Sequence, residues 1–317
     1  MVNGKPLLAL TMGDPAGIGP ELAVKAAADP ALRQLADMVV YGCPDIILAA
    51  ADKFTPGLIP TIKSTGQLCF SAVPQGKNDP ACGLAAMDAV IAATEDALDR
   101  RIDALVTMPM NKASVNLAGV KFTGHTELIA EMCHVENYAM MQSSGNLRVA
   151  FVTTHIPLAE VCRCATHLRI VEVAHLLNNV CKAEGIQQPK LAAAAINPHA
   201  GENGYMGSED EEVVKPALDF LRREGLDIAG PFPPDTLFIK STLDKFDGIL
   251  SMYHDQGHIP FKMLAFETGV NSTLGLPIIR TSPDHGTAFE IAWQGKADCR
   301  SVFAAIRVAA VRAAARS

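Results

Sequence analysis

Short apolar runs alternate with longer, alanine-rich amphipathic stretches along the whole chain. Leu7–Thr11, Met38–Tyr41, Ala104–Thr107, Val149–Val152, Ala192–Ile196 and Phe246–Leu250 have the length and apolar character of buried strands. Pro20–Ala28, Pro44–Ala51, Gly83–Leu98, Leu168–Glu184, Asp210–Arg223 and Val302–Ala315 read as helices. Pro20 suits a first helical turn, where an N–H is not needed. The carboxylates at the start of Asp210–Arg223 suit the positive end of a helix dipole. Strands alternating with helices predict α/β layers on a largely parallel sheet. No repeat or low-complexity linker marks a domain boundary.

In such folds the chemistry gathers where strands end. Val149–Val152 leads to His155, Ala192–Ile196 to His199, and Phe246–Leu250 to His254, each with Gly or Pro close by. Three strand-end imidazoles could hold a divalent metal and leave positions open for substrate oxygens. His258 is a fourth candidate, placed beyond Gly257, which reads as a hinge. His134, His167 and His175 lie in or beside helical stretches without special neighbours and read as structural.

The bulk properties narrow the class. A chain of 317 residues can form two modest domains or one large α/β unit. It is 49% hydrophobic and 19% charged with a net charge of −7. That argues against disorder, and the absence of a basic cluster argues against nucleic-acid binding. No apolar run approaches the roughly 20 residues that span a bilayer. The N-terminus reads as too short and polar for a signal peptide, so the expected compartment is the cytoplasm. The eight cysteines form no CxxC pair and are expected to be reduced.

Other segments carry two readings each. Thr11–Glu21 (TMGDPAGIGPE) is either a tight structural turn or a helix start that offers backbone amides to an anion. It is not a dinucleotide fingerprint, because Leu22 stands where a third glycine would follow Gly17 and Gly19. Thr123–Glu127 (TGHTE) is a turn capped by Thr123 or Thr126, or it presents His125 and Thr126 to an anionic ligand. Lys262, Asn271 and Arg280 are surface residues, or a point charge, a neutral donor and a planar fork for a phosphate monoester. Asp284–Ala292 is a helix start or part of a nucleotide pocket.

Taken together, the motifs resemble the 4-hydroxythreonine-4-phosphate dehydrogenase family along nearly the whole chain. The blocks are TMGDPAGIGPE (11–21), TMPMNKA (107–113), TGHTE (123–127), TTHIPL (153–158), NPHAGENG (197–204), GPFPPDTLF (230–238), YHDQGHIPFK (253–262) and GVNSTLGLPIIRTSPDHGTA (269–288). The resemblance implies two α/β subdomains around a cleft, similar to isocitrate and isopropylmalate dehydrogenases. Residues 1–119 plus 265–317 would form an NAD-binding subdomain, and 120–264 a metal and dimerisation subdomain. It implies a homodimer with the active site at the interface, and His155, His199 and His254 as metal ligands drawn from both subunits. The metal would be zinc first, with magnesium, cobalt or manganese as alternatives. His125, Thr126, Lys262, Asn271 and Arg280 would contact the phosphorylated substrate. Leu274, Gly275, Asp284, His285, Gly286 and Thr287 would contact NAD. Lys112 would transfer a proton, and Asp235 would orient a ligand or a substrate group.

The implied reaction is NAD-dependent and metal-dependent oxidation of a phosphorylated 3-hydroxy acid, followed by decarboxylation. The substrate is 4-hydroxythreonine 4-phosphate or a 4-phosphothreonate or 4-phosphoerythronate. HDQGHIPFK is similar to the second type and to terephthalate dihydrodiol enzymes, while Asn271 and Arg280 favour a phosphorylated substrate over the dihydrodiol. A metabolite-binding protein without catalysis is the alternative class. Two positions depart from the family pattern. Trp293 stands where the related loop has glycine, and Pro283 stands where valine is frequent. The indole is expected to stack on adenine.

Overall fold

The computed structural model of the chain describes residues 4–316. They divide into two compact units. One runs to Glu136 and resumes at Leu276, and the other is Asn137–Gly275. The boundaries expected at 119/120 and 264/265 therefore move. Helix His125–Met132 packs on helix Pro80–Leu98 of the first unit, whereas strand Val270–Leu274 pairs with Ala139–Ser144 of the second.

The strands in chain order are β1 (Leu7–Thr11), β2 (Asp37–Gly42), β3 (Thr61–Ser64), β4 (Ala104–Val106), β5 (Ala139–Ser144), β6 (Leu147–Phe151), β7 (Leu191–Ala194), β8 (Ile228–Phe232), β9 (Gly248–Ser251), β10 (Val270–Leu274) and β11 (Arg280–Pro283). The first unit orders its strands β3-β2-β1-β4-β11. All of these pairs are parallel, with Leu10 opposite Val40 and Val106, and Arg280 opposite Leu105. Leu8, Leu10 and Leu105 are fully buried, as expected of parallel strands covered by helices on both faces.

The second unit orders its strands β10-β5-β6-β9-β7-β8. Here β6, β9, β7 and β8 are parallel, while β10, β5 and β6 pair antiparallel. The apolar pattern does not reveal β5, because Gln142 and Ser143 are polar yet buried in it. Gly145, with φ 55°, makes the tight β5–β6 turn.

Two helical expectations change in detail. Asp210–Arg223 is a π turn over Asp210–Val214 followed by an α-helix over Lys215–Arg223. Pro216 has no N–H, and its ring excludes the carbonyl four residues back, so the first turn widens. Gly257 is no hinge: it lies inside helix His254–Ala265. A Cβ there would sit 2.8 Å from Ser251 Oγ and 2.9 Å from Phe151 Cε1, so glycine lets the helix lie directly on β9 and β6. All eight cysteines are free. Among the described residues no helix is long and apolar enough to cross a membrane.

Candidate active site

In the first unit, the turn after β1 is structural. Ala16 N–H donates to Asp14 Oδ1 (2.9 Å), Gly17 N–H to Asp14 O (3.0 Å) and Ile18 N–H to Thr287 O (3.0 Å). The Ala16, Gly17 and Ile18 amides are thus engaged within the protein. Gly17 is required because a Cβ would lie 2.8 Å from Thr287 O. Asp14 is wholly buried, and burial raises its pKa to about 6 against the hydrogen bond from Ala16.

Arg280 opens β11 opposite Leu105, near the carboxyl end of β4. It is 4% exposed, and its guanidinium donates to Thr107 Oγ1 from Nε (3.2 Å) and Nη2 (2.7 Å). Burial lowers its pKa to about 10, and the Glu127 carboxylate acts in the opposite direction. His125 begins helix His125–Met132. Its Nε2 is shielded from water and has no hydrogen-bond partner among the described residues, although the residue keeps some exposed surface. Burial, then the charges of Arg280 and Lys112, push the imidazole down to about 3. His125 is therefore neutral at ordinary pH, with a ring nitrogen available to a ligand. Neither Thr123 nor Thr126 caps this helix; the cap position is Gly124, without a side-chain bond. Thr126 occupies the first helical turn beside His125.

Lys112 is the first residue of helix Lys112–Leu117, and Asn111 caps it by accepting from Ala113 N (2.8 Å) and Ser114 N (3.2 Å). Its Nζ and the Glu127 carboxylate flank Gly124, where a Cβ would lie 3.5 Å from Nζ and 2.5 Å from Glu127 Oε2. The first unit thus gathers Arg280, Lys112, Glu127 and a neutral histidine, a set suited to an anionic ligand.

The loop after β11 holds the expected cofactor residues. Asp284 N–H donates to Ser301 Oγ (3.1 Å), His285 and Gly286 are exposed, and no atom lies within 4 Å of a Cβ built on Gly286. Asp284–Ala292 is not a helix start, since only Phe289–Ile291 forms a single 3-10 turn. Pro283 is the buried last residue of β11, whose pairing with β4 ends at Thr281. Trp293 is 2% exposed, packs 4.5 Å from Phe70 and 5.8 Å from Phe54 between ring centroids, and donates from Nε1 to Pro15 O (2.8 Å). This corrects the expectation of adenine stacking, since the indole is a core residue. Its φ of 60° explains why glycine would suit the position.

In the second unit, His155, His254 and His199 follow β6, β9 and β7, three adjacent strands running the same way. His254 starts its helix, and its Nδ1 lies 2.7 Å from Asp255 Oδ1. Its ring centroid is 5.6 Å from that of His155, 4.5 Å from that of His258, and 6.1 Å from that of Phe151. His199 stands in a left-handed run from His199 to Asn203. Asp210 anchors the approach to it, accepting from Ile196 N (2.8 Å) and Asn197 N (2.9 Å). Among the described residues no three His, Cys, Asp or Glu side chains come close enough to hold a metal. The described residues therefore place the His155 and His254 rings near each other, tilted by 44°, without a gathered metal triad.

Asp235 is exposed in the first turn of Pro234–Leu237, which packs on the His199 loop. Lys262 lies on helix His254–Ala265, its Nζ 5.2 Å from the Phe266 ring centre. Asn271 is in β10, and its Oδ1 is shielded from water without a partner among the described residues. Leu274 is 5% exposed in the core of the second unit, and Gly275, at φ 90°, packs on the Asn137 carbonyl.

Sequence reasoning passed over Thr107, Glu127, Asp14 and Gln256. Gln256 is buried, accepts from Met252 N (2.7 Å) and Ser251 Oγ (3.1 Å), and donates to Ala195 O (2.6 Å). It ties the His254 helix to the ends of β9 and β7. Its place between two candidate histidines was the only available signal.

The chain matches the family described as Pyridoxal phosphate biosynthetic protein PdxA over residues 29–309. It is 43% identical to a 4-hydroxythreonine-4-phosphate dehydrogenase of Desulforapulum autotrophicum, over 99% of this chain and 97% of that one. It is 42% identical to a D-threonate 4-phosphate dehydrogenase of Salmonella typhimurium, over 95% and 97%. A crystal structure of 4-hydroxythreonine-4-phosphate dehydrogenase from Klebsiella pneumoniae aligns with a TM-score of 0.85 at 38% identity, covering 98% of each chain. Because the match runs through both units and every strand from β2 onward, the chain belongs to the PdxA family of dehydrogenases.

Proposed function

We propose that this protein oxidises a phosphorylated 3-hydroxy acid with NAD and that the keto acid formed then loses carbon dioxide. The observation that carries the reading is the buried Arg280 guanidinium beside neutral His125, whose Nε2 has no partner among the described residues. A planar cation beside an unengaged neutral imidazole nitrogen suits a phosphate monoester, the guanidinium donating to its oxygens and the ring nitrogen accepting from a protonated phosphate oxygen or a substrate hydroxyl. The proposal assigns substrate contacts to His125, Thr126, Lys262, Asn271 and Arg280.

Bound NAD would supply the hydride acceptor, with the exposed Asp284–Thr287 loop holding its adenosine end. A divalent metal, zinc first, would be held by His155, His199 and His254 drawn from both subunits of a dimer, and would supply Lewis acidity at the substrate's hydroxyl oxygen. The donor set fits such a site, because imidazole is a usual zinc ligand and the His155 and His254 rings lie 5.6 Å apart between centroids. Helix His254–Ala265 also leaves Ile259, Met263 and Leu264 exposed, a face suited to a homodimer.

The chain's own residues carry the proton traffic. Lys112, presented at a capped helix start, takes the hydroxyl proton during oxidation and returns a proton to the carbon that loses carboxylate. Asp235, on the turn that packs against the His199 loop, orients that loop or a substrate group. The proposed compartment is the cytoplasm.

The test is NADH formation by metal-loaded enzyme with 4-phospho-D-threonate, 4-phospho-D-erythronate and 4-hydroxythreonine 4-phosphate, side by side. Turnover of the hydroxy acids alone assigns a C2 hydroxyl substrate, and turnover of the amino acid alone assigns a C2 amine. Silence with all three overturns the reading of Arg280 and Asn271. Metal content of purified protein and of a His254→Ala variant checks the ligand assignment independently.

A further inference from the structure

The segment Asp284–Ala297 is long, carries only one 3-10 turn, and contains two non-glycine residues in left-handed conformation, Ala288 (φ 42°) and Trp293 (φ 60°). Such backbone persists only where its surroundings impose it. The surroundings here are the turn after β1 and the helix Gly19–Ala28 that follows.

Four contacts make the hold. Ile18 N–H donates to Thr287 O (3.0 Å), and Trp293 Nε1 donates to Pro15 O (2.8 Å). Glu21 accepts from Gly295 N (3.1 Å) through Oε2 and from Ala297 N (3.0 Å) through Oε1. Glu21 is 1% exposed, and Lys25 Nζ balances its charge at 2.6 Å while also reaching Gly295 O (3.3 Å). A buried carboxylate is costly unless paired and hydrogen-bonded, and each acceptor contact of this one serves the loop or its counter-ion.

We propose that Glu21 and Trp293 are positioning residues that pre-shape the 284–297 loop to receive the adenosine end of a dinucleotide. The inference rests on the NAD reading above. It explains why the TMGDPAGIGPE motif ends in a buried carboxylate. The motif's Ala16, Gly17 and Ile18 amides are engaged within the protein, and it braces from behind a loop whose outer side, at His285 and Gly286, is open. Pre-shaping matters because ordering a loop on binding subtracts directly from affinity.

The experiment uses the full-length, metal-loaded protein and two variants. Glu21→Gln keeps the shape but turns an acceptor into a donor facing an N–H or the Lys25 ammonium. Trp293→Phe keeps the buried ring and removes the bond to Pro15. Hydrogen exchange by mass spectrometry is read on peptides covering 284–297, and NAD affinity is measured by calorimetry. Faster exchange confined to 284–297, with a tenfold or greater rise in NAD Kd and an unchanged Kd for inorganic phosphate, is the expected result. Unchanged exchange in both variants overturns the brace. Faster exchange with unchanged NAD Kd overturns its role in cofactor binding. If the wild type binds no NAD while the variants still loosen the loop, the NAD reading fails and takes this role with it, leaving only a structural brace.

Discussion

The guanidinium of Arg280 donates twice to one hydroxyl, that of Thr107, in the buried interior of the first unit. The hydroxyl aims a cation that has little freedom to re-orient. Replacing Thr107 with Val removes the acceptor and keeps the volume. A charge-assisted hydrogen bond contributes about 1.5–3 kcal/mol, so KM for the phosphorylated substrate is expected to rise about 10-fold to 100-fold. Arg280→Lys loses the planar fork and is expected to do at least as much. Initial-rate kinetics check both, and an unchanged KM in Thr107→Val would show that the aim is set elsewhere.

His125 makes stability depend on pH. Its folded pKa of about 3 lies below the usual histidine value, through burial first and then Arg280 and Lys112. The native state therefore keeps the neutral ring while the unfolded chain takes up a proton. Its contribution is complete above about pH 6.5 and is lost as pH falls toward 3, by up to about 1.4 kcal/mol per pH unit. Denaturant unfolding of wild type and His125→Gln between about pH 7 and 4 is expected to show a shallower decline in the variant. Parallel declines would mean that His125 is already protonated in the fold.

Asp14 has the opposite sign. Burial raises its pKa to about 6, so the folded state favours the protonated form. That contribution is full below the ordinary carboxylate value near 3.8 and is lost as pH rises through 6. Asp14→Asn keeps an oxygen to accept from Ala16 N–H. It is expected to be at least as stable as wild type near pH 8 and comparatively less favoured near about pH 4. Equal differences at both pH values would refute the assignment.

Gly257 has no room for a methyl group: Val149 Cγ1 and Ser251 Oγ would each lie 2.8 Å from it. Gly257→Ala is expected to cost about 1–3 kcal/mol through overpacking, read as a lower denaturation midpoint. Because His254, one of the proposed metal ligands, lies on that helix, the affinity of the proposed metal site is expected to fall as well. A fully stable variant with native metal affinity would mean that the helix can shift freely on β6 and β9.

Much of the architecture was legible in the chain. β1, β2, β4, β6, β7 and β9 are apolar because parallel strands are covered on both faces, and their ends led directly to His155, His199 and His254. Strand β5 was hidden because Gln142 and Ser143 interrupt its apolar run. The hinge reading of Gly257 failed because glycine signals freedom or tight packing equally, and only neighbours distinguish the two. Trp293 was misplaced for a related reason: an aromatic ring suits a nucleotide or a core alike, and Phe54 and Phe70 decided for the core.

The sequence by itself determined the alternation of strands and helices, the residues at the strand ends and, through its ordered motifs, the family. These are local or linear properties, carried by side-chain periodicity and residue order. Tertiary structure alone decided which of those residues meet. It brought Thr107 to Arg280, separated by 173 positions, and Glu21 to Ala297, separated by 276. It also brought the rings of His155 and His254, separated by 99 positions, to 5.6 Å between centroids. Burial, and the pKa shifts of His125 and Asp14 that follow from it, arises from contacts between distant segments, which no run of neighbouring residues encodes.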